Sequence, residues 1–225
     1  MSVLNTSGLG APASASARIS ATTSATSASE ATKGRVWYAK RTASKCASKE
    51  RATLSAVDGA VIADVPRQLG CLPDDATDLV LSVGGNDALV HSDLLDRPAI
   101  SSAQVLGWLD DAARAFERRY HALLDAVLAR ALPTTLCTIY NGNLGPPAQR
   151  RATVALAVFN DVILLAAAER RLPVVELRLV CTGPLDYANP IEPSVRGGER
   201  IARAIVRAVV ERPDDVSRLH AAAPG

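Results

Sequence analysis

The stretch that most constrains the fold is residues 79–83, an almost unbroken aliphatic run followed at once by Gly84, Gly85, Asn86 and Asp87. Such a run predicts a strand buried on both faces, which in an α/β protein is an interior strand of a parallel sheet. Ligands bind at the carboxyl ends of such strands, so these four residues stand where chemistry is done. The alternative is an ordinary polar turn that contains these residue types.

From residue 51 onward, aliphatic runs alternate with segments of helical periodicity. Strands are predicted at residues 53–57, 79–83, 134–140 and 174–180, and helices at residues 61–69, 103–131, 149–171 and 194–211. This alternation predicts a three-layer α/β/α sandwich around a parallel sheet. Right-handed crossovers bring the strand exits to one edge, where Gly59 and Asn141 then join the residues after the central strand.

Composition excludes several function classes. A formal charge of +2 and a pI near 8.4 are too mild to indicate a nucleic-acid or membrane-surface partner. The four cysteines lie far apart without a CxxC pair, which indicates buried or free thiols. No apolar run is expected to span a bilayer, so the folded part is expected to be soluble. We expect no cofactor and no metal, and the expected partner is a small-molecule ester.

The first 50 residues differ in composition from the rest. Ser, Ala and Thr fill residues 11–32 without periodicity, which predicts disorder. The segment lacks the apolar core of a secretory signal peptide, so a cytoplasmic location is expected, with an organellar transit peptide as the alternative. We therefore expect a low-complexity segment at residues 1–50, an α/β domain at residues 51–212 and a flexible tail at residues 213–225.

Two motifs resemble conserved blocks of one enzyme family. Residues 79–89, LVLSVGGNDAL, resemble the third block of the SGNH hydrolases, also called GDSL esterases/lipases, and residues 56–60, AVDGA, resemble the second. The similarity covers about residues 52–210. It implies a flavodoxin-like three-layer sandwich and hydrolysis of an acyl or acetyl ester of a small molecule.

The resemblance assigns a role to several strand-exit residues. It implies that the Gly59 N–H and the Asn86 side chain are two of the three donors of an oxyanion hole. Donors fixed toward a developing oxyanion lower a barrier by roughly 3 kcal/mol each. The other polar and glycine residues at the strand exits are predicted to bind substrate, and they are Gly84, Gly85, Asp87 and Asn141.

Two catalytic residues of the family, the nucleophilic serine and the histidine, are not found in this sequence. The family carries its nucleophile in a Gly-Asp-Ser sequence, which occurs nowhere in this chain. The fifth block, Asp-x-x-His in the family, places Asn189 where Asp belongs and Glu192 where His belongs. Glu192 replaces the imidazole base only if burial raises its pKa. Otherwise it is a solvated residue ahead of a helix, stabilised by the helix dipole.

Other side chains are weaker candidates. His91 either borders the cleft or lies on a surface loop, whereas His121 and His220 fall inside a helix and in the tail. Cys181 is either a thiol nucleophile or, because no histidine accompanies it, an inert cysteine. Asp186 either holds its loop by accepting backbone N–H groups or positions a water.

The family's nucleophile strand lies between the strands predicted here at residues 53–57 and 79–83. We expect either that residues 35–39 fill this slot or that the two strands close the gap. The patterning becomes family-like abruptly near Arg51, which predicts a shifted reading frame or a mis-called start in the gene. If no Gly-Asp-Ser codons precede Thr53 in any frame of the coding DNA, this prediction is wrong.

Two classes of function stay open, and the nucleophile separates them. The first is an ester hydrolase by descent, impaired because its serine and histidine are not found. The second is a non-catalytic binding or interaction module that retains the fold. In a third and weaker reading, the basic residues of the N-terminal segment tether the domain to an acidic partner.

Overall fold

The computed structural model describes residues 18–21, 35–40, 49–54 and 59–211, with side chains from residue 59 to residue 209. These residues contain one six-stranded sheet in the order β1-β3-β2-β4-β5-β6. The strands are β1 (Arg18–Ala21), β2 (Arg35–Lys40), β3 (Lys49–Leu54), β4 (Asp78–Ser82), β5 (Thr134–Cys137) and β6 (Val174–Val175).

β2 fills the position beside the central strand β4, which is the first of the two expected arrangements. β2 lies between β3 and β4, but it is antiparallel to both, with Arg35 opposite Ser82 and Tyr38 opposite Leu79. β4, β5 and β6 are mutually parallel. The expectation of a wholly parallel sheet is therefore wrong at β2. Only residues 41–48 separate β2 from β3, and a parallel crossover needs about a dozen residues or more.

The sheet also extends into the segment that was predicted to be disordered. β1 pairs in parallel with β3, with Arg18 opposite Lys49. An edge strand needs only a ladder of backbone hydrogen bonds, which a sequence pattern does not encode. The remaining residues of that segment, Cys46, and the tail predicted at residues 213–225 lie outside the described residues.

Helices cover both faces of the sheet. Their bounds are α1 (Val65–Leu69, after a 3-10 turn at Ile62–Asp64), α2 (Gly85–Leu89), α3 (Ser102–Leu128), α4 (Ala148–Glu169), α5 (Leu177–Val180) and α6 (Val195–Val206). Ser101 caps α3 by accepting a hydrogen bond from the Gln104 N–H. Phe116, Tyr120 and Leu123 on the predicted apolar stripe of α3 are buried.

The alternation of side chains along β4 sorts the core into two layers. Leu79 and Leu81 belong to a buried cluster that includes residues of α1, α3 and α4. Val80 belongs to a second cluster, against which the Ile201 and Ile205 side chains of α6 pack. A central strand with an apolar cluster on each face is the predicted α/β/α sandwich.

Two predicted strands end early. β5 stops at Cys137 and β6 at Val175, whereas the aliphatic pattern predicted strands to residues 140 and 180. Glu176 stops β6 because its carboxylate accepts the Arg178 N–H and so caps α5. The Thr138 hydroxyl also accepts the Leu177 N–H, which fixes the start of this short helix.

The apolar helix α4 bears on the expectation that no apolar run is long enough to cross a bilayer. By length and composition alone α4 meets that requirement, since an 18-residue window within it has a mean hydropathy of 1.7. One third of that window, 33%, is buried inside the protein. Phe159, Ile163 and Ala166 of α4 are part of the core that faces the sheet.

Candidate functional site

Gly84 is required by the backbone and by packing. It precedes α2 with φ of +114°, a conformation that favours glycine. A Cβ atom at this position would lie 2.8 Å from Cζ of Phe116, which is fully buried. Sequence reasoning expected Gly84 to bind substrate, but it does not line the cavity described below. Its contact is with the hydrophobic core.

Asn86 and Asp87 hold the neighbouring turn at Gly59. The Asn86 side-chain N–H donates to the Ala60 carbonyl at 2.8 Å, and the Asp87 carboxylate accepts the Ile62 N–H at 3.1 Å. These bonds place Gly59 and Asn86 at one edge of the sheet, as predicted. A carboxamide nitrogen carries two protons, so among the described residues one N–H of Asn86 has no partner and can bind a ligand.

Asp87 is buried under this turn rather than exposed to a ligand. It is 4% exposed and does not line the cavity, although it was predicted to bind substrate. Burial raises the pKa of Asp87, while the bond from the Ile62 N–H and the charge of Arg119 partly oppose that rise. The Asp87 carboxylate therefore stabilises the turn through Ile62, where a contact with substrate was predicted.

A cavity of about 150 Å³ lies beside Asn86 at the exits of β4 and β5. We call it the Asn86 cavity. Its polar lining consists of Ser82, Asn86, His91, Ser92, Thr138, Tyr140 and Asn141. The remaining lining is apolar or glycine: Val83, Gly85, Ala88, Leu89, Leu94, Leu95, Leu109, Ile139, Gly142, Leu144, Ala152, Ala155, Leu156, Phe159 and Ile191. Of the predicted site residues, the cavity brings together Gly85, Asn86 and Asn141.

His91 borders the cavity, which settles the two alternatives that the sequence left open. Its ring stacks on Phe159 with centroids 6.0 Å apart and planes inclined by 27°. α2 and the 3-10 turn at Ser92–Leu95 return the chain toward α4, and this path is not visible in a residue pattern. His121 lies elsewhere, with Nδ1 3.9 Å from the Glu169 carboxylate, and His220 lies outside the described residues.

The loop after β5 is tied to the loop before α6. The Asn143 N–H donates to the Pro190 carbonyl at 2.7 Å, and the Tyr140 hydroxyl donates to the Ile191 carbonyl at 3.1 Å. Asn141 lies between these contacts and lines the cavity, where its side-chain oxygen is buried without a hydrogen-bond partner in the part of the chain that the structure describes. A buried amide oxygen of this kind is an unused acceptor for a ligand.

Asn189 and Glu192, the counterparts of the family's Asp and His, are bonded to each other. The Asn189 side-chain N–H donates to the Glu192 carboxylate at 2.6 Å. The Asn189 oxygen accepts the N–H groups of Ile191 and Glu192 at 3.0 and 2.9 Å. In this loop only Ile191 lines the cavity. The structure therefore places the Glu192 carboxylate outside the cavity lining.

Asp186 takes the first of its two predicted roles and holds the loop. Its carboxylate accepts the N–H groups of Thr182 and Gly183, each at 3.0 Å, and a bond of 2.8 Å from Arg200. Burial by itself raises the pKa of Asp186, but these N–H groups and the charge of Arg200 outweigh it and hold the pKa below its ordinary value.

Burial favours the second of the two alternatives for Cys181, an inert cysteine, and it acts on Cys137 in the same way. Cys71, Cys137 and Cys181 are free thiols. Burial raises the pKa of Cys181 to about 11 and that of Cys137 to about 12, although a bond from the Ser82 hydroxyl opposes the second shift. The thiolate is the reactive form, so neither sulfur is a nucleophile near neutral pH.

The direction of β2 decides which end of this strand lies beside the cavity. Ser82 lines the cavity, and its partner across the ladder is Arg35, the first residue of β2. The carboxyl end of β2, at Lys40, therefore lies at the opposite edge of the sheet. A parallel strand in this slot would instead end beside Asn86.

The fold matches solved structures, although no protein-family model and no curated protein matches the chain. An extracellular lipase from Streptomyces rimosus is 16% identical with a TM-score of 0.56, over 74% of this chain and 83% of that one. A phospholipase A1 from Streptomyces albidoflavus NA297 is 18% identical with a TM-score of 0.53, over 68% and 78%. A lipolytic G-D-S-L family protein from Veillonella parvula DSM 2008 is 13% identical with a TM-score of 0.50, over 69% and 78%. The chain has the SGNH hydrolase-like fold.

Proposed function

We propose that this chain binds the acyl part of a small ester in the Asn86 cavity and that its hydrolytic activity is impaired. The observation that best supports this is the direction of β2. In the SGNH hydrolases, which the sequence resembles, a parallel strand in that slot ends in the nucleophilic serine. Here the strand in the slot runs the other way, so its carboxyl end is remote from Asn86.

The groups that polarise an ester are retained in this proposal. The donors that would bind the ester carbonyl oxygen are the second N–H of Asn86, which lines the cavity, and the backbone N–H of Gly59, which is next to the Ala60 contact of Asn86 but is not a lining residue. Fixed donors of this kind stabilise the developing oxyanion. The oxyanion forms only when a nucleophile attacks the carbonyl carbon of the ester. Oxyanion donors without the rest of a triad retain only a small part of the rate enhancement, as serine proteases illustrate.

Ester hydrolysis is the second candidate function, and His91 is the observation that favours it. An imidazole is the usual general base because its pKa lies near the working pH. His91 lines the same cavity as Asn86, so it is placed to activate a hydroxyl or a water there. In this reading the nucleophile is a residue that the sequence motifs do not identify.

Turnover of p-nitrophenyl acetate tests the proposal. We expect the wild-type chain to hydrolyse it no faster than Asn86→Ala does, because the carboxyl end of β2, where the family carries its serine, lies at the opposite edge of the sheet from the oxyanion donors. Urea unfolding of both proteins controls for loss of the Asn86 bond to Ala60.

Clear turnover that disappears with Asn86→Ala would overturn the impaired-activity proposal. A serine-directed phosphonate followed by mass mapping would then name the nucleophile. His91→Gln and His121→Gln form a matched pair for the base, because only the first histidine lines the cavity.

A further inference from the structure

We infer that the Asn86 cavity selects a compact acyl group of about six or seven carbon atoms, such as hexanoyl or benzoyl, over acetyl and over long chains. This inference rests on the proposed function and adds the ligand class to it. Its basis is the size of the cavity, the buried residues in its wall, and the position of its polar groups.

The volume sets the size of the group. The cavity measures about 150 Å³, and an apolar cavity of roughly 150 Å³ holds one benzene ring. An acetyl group leaves most of such a space empty and buries little apolar surface. A long alkyl chain exceeds it and leaves its outer methylenes in water, where they add nothing to the binding free energy.

Buried side chains form part of the cavity wall. Ile139, Ala152 and Phe159 line it and are each buried. Ala152 and Ala155 lie on the cavity side of α4, and their small side chains leave the space that a larger residue would fill. The Phe159 ring, with His91 stacked on it at 6.0 Å, adds an aromatic wall. Aromatic rings prefer stacked or edge-to-face partners at such distances, so a benzoyl ring suits this wall as well as an alkyl chain does.

The polar lining fixes the orientation of the ligand. Asn86 and Asn141 are the two carboxamides of the lining, and they lie at the exits of β4 and β5. The buried side-chain oxygen of Asn141 has no hydrogen-bond partner among the residues described. A hydroxyl or N–H group on the alcohol part of the ester would satisfy that acceptor, while the acyl part occupies the apolar interior.

Calorimetric titration with methyl acetate, methyl hexanoate, methyl benzoate and methyl decanoate tests the inference. Each additional buried methylene strengthens binding about fourfold. We therefore expect methyl hexanoate to bind on the order of a hundredfold more tightly than methyl acetate, with methyl benzoate similar. We expect methyl decanoate to bind no more tightly than methyl hexanoate.

Two variants of α4 form the matched control. Ala155→Phe fills the cavity and is expected to weaken methyl hexanoate binding at least tenfold, whereas Ala157→Phe, at an exposed position of the same helix, is expected to leave it unchanged. Leu156→Ala enlarges the cavity and is expected to shift the preference toward methyl decanoate. Thermal unfolding of each variant identifies any that fails to fold, and the wild-type ligand series does not depend on them.

The outcomes separate this inference from the proposed function. Equal binding of all four esters, or full binding by a folded Ala155→Phe variant, would overturn the inference and leave the proposed ester binding in place. No binding of any ester would overturn both. Rapid hydrolysis of the hexanoate ester would overturn the impaired activity, while the preference for six carbon atoms over two would still support the cavity assignment.

Discussion

Gly197→Ala is expected to lower the free energy of unfolding by about 3 kcal/mol. Gly197 lies in the first turn of α6, where a Cβ atom would clash with the Asp186 carbonyl oxygen and would stand 3.2 Å from Cβ of Pro193. The first of these contacts is with backbone, which cannot rotate away as a side chain can. The start of α6 and the loop that carries Asp186 must therefore move apart.

Gly198→Ala is the control for this prediction. A Cβ atom at Gly198 meets nothing within 4 Å, and alanine is favoured over glycine in a helix by about 0.5–1 kcal/mol. We expect urea unfolding to show a slightly more stable protein for Gly198→Ala and a large loss for Gly197→Ala. Equal effects at the two positions would mean that α6 does not pack against the Asp186 carbonyl as described.

The sequence predicted the part of the fold that depends on local pattern. The aliphatic run at residues 79–83 corresponds to β4, and the stripe of α3 contains the buried Phe116 and Tyr120. Both are cases in which burial on a defined face dictates residue type at a fixed period. The position of Gly59 beside Asn86 also followed, because parallel strands exit at one edge.

The direction of β2 was not predictable from its own residues. A short β-branched and aromatic strand has the same period in either direction. The length of residues 41–48 was the available signal, since it is too short for a crossover helix. The resemblance to a family with a parallel sheet favoured a parallel strand in this slot instead. Because β2 is antiparallel to β4, its carboxyl end does not reach the site beside Asn86.

The cavity itself is a tertiary property. His91, Ile139, Ala155 and Phe159 come from three segments that only the packing of α4 against β5 and the 3-10 turn at Ser92–Leu95 brings together. By contrast, Gly84 and Asp87 carry the residue types of a ligand site but contact Phe116 and Ile62. A motif shows which residue types are present. It does not distinguish the residues that contact a ligand from the residues that support them.

Asp186→Asn is expected to cost about 2 kcal/mol at pH 7. The Asp186 carboxylate is 1% exposed and accepts two backbone N–H groups and the Arg200 guanidinium. An asparagine oxygen still accepts these bonds, but it is neutral and leaves Arg200 without its buried counter-charge. The loop at residues 182–186 and the start of α6 are then held less firmly. Urea unfolding at pH 7 measures the loss, with Asp161→Asn on the exposed face of α4 as the control.

The same pair of proteins has a defined dependence on pH. The N–H groups and Arg200 hold the pKa of Asp186 below its ordinary value. A carboxyl group of this kind contributes stability that is fully present above its unfolded pKa of about 3.9 and is lost as the pH falls through the folded pKa. The stability difference between wild type and Asp186→Asn should therefore be constant from about pH 7 to 5 and shrink below about pH 4. Asp87, whose raised pKa acts in the opposite sense, is present in both proteins and cancels. A difference that stays the same down to about pH 2 would show that the charge on Asp186 does not stabilise the α6 contact.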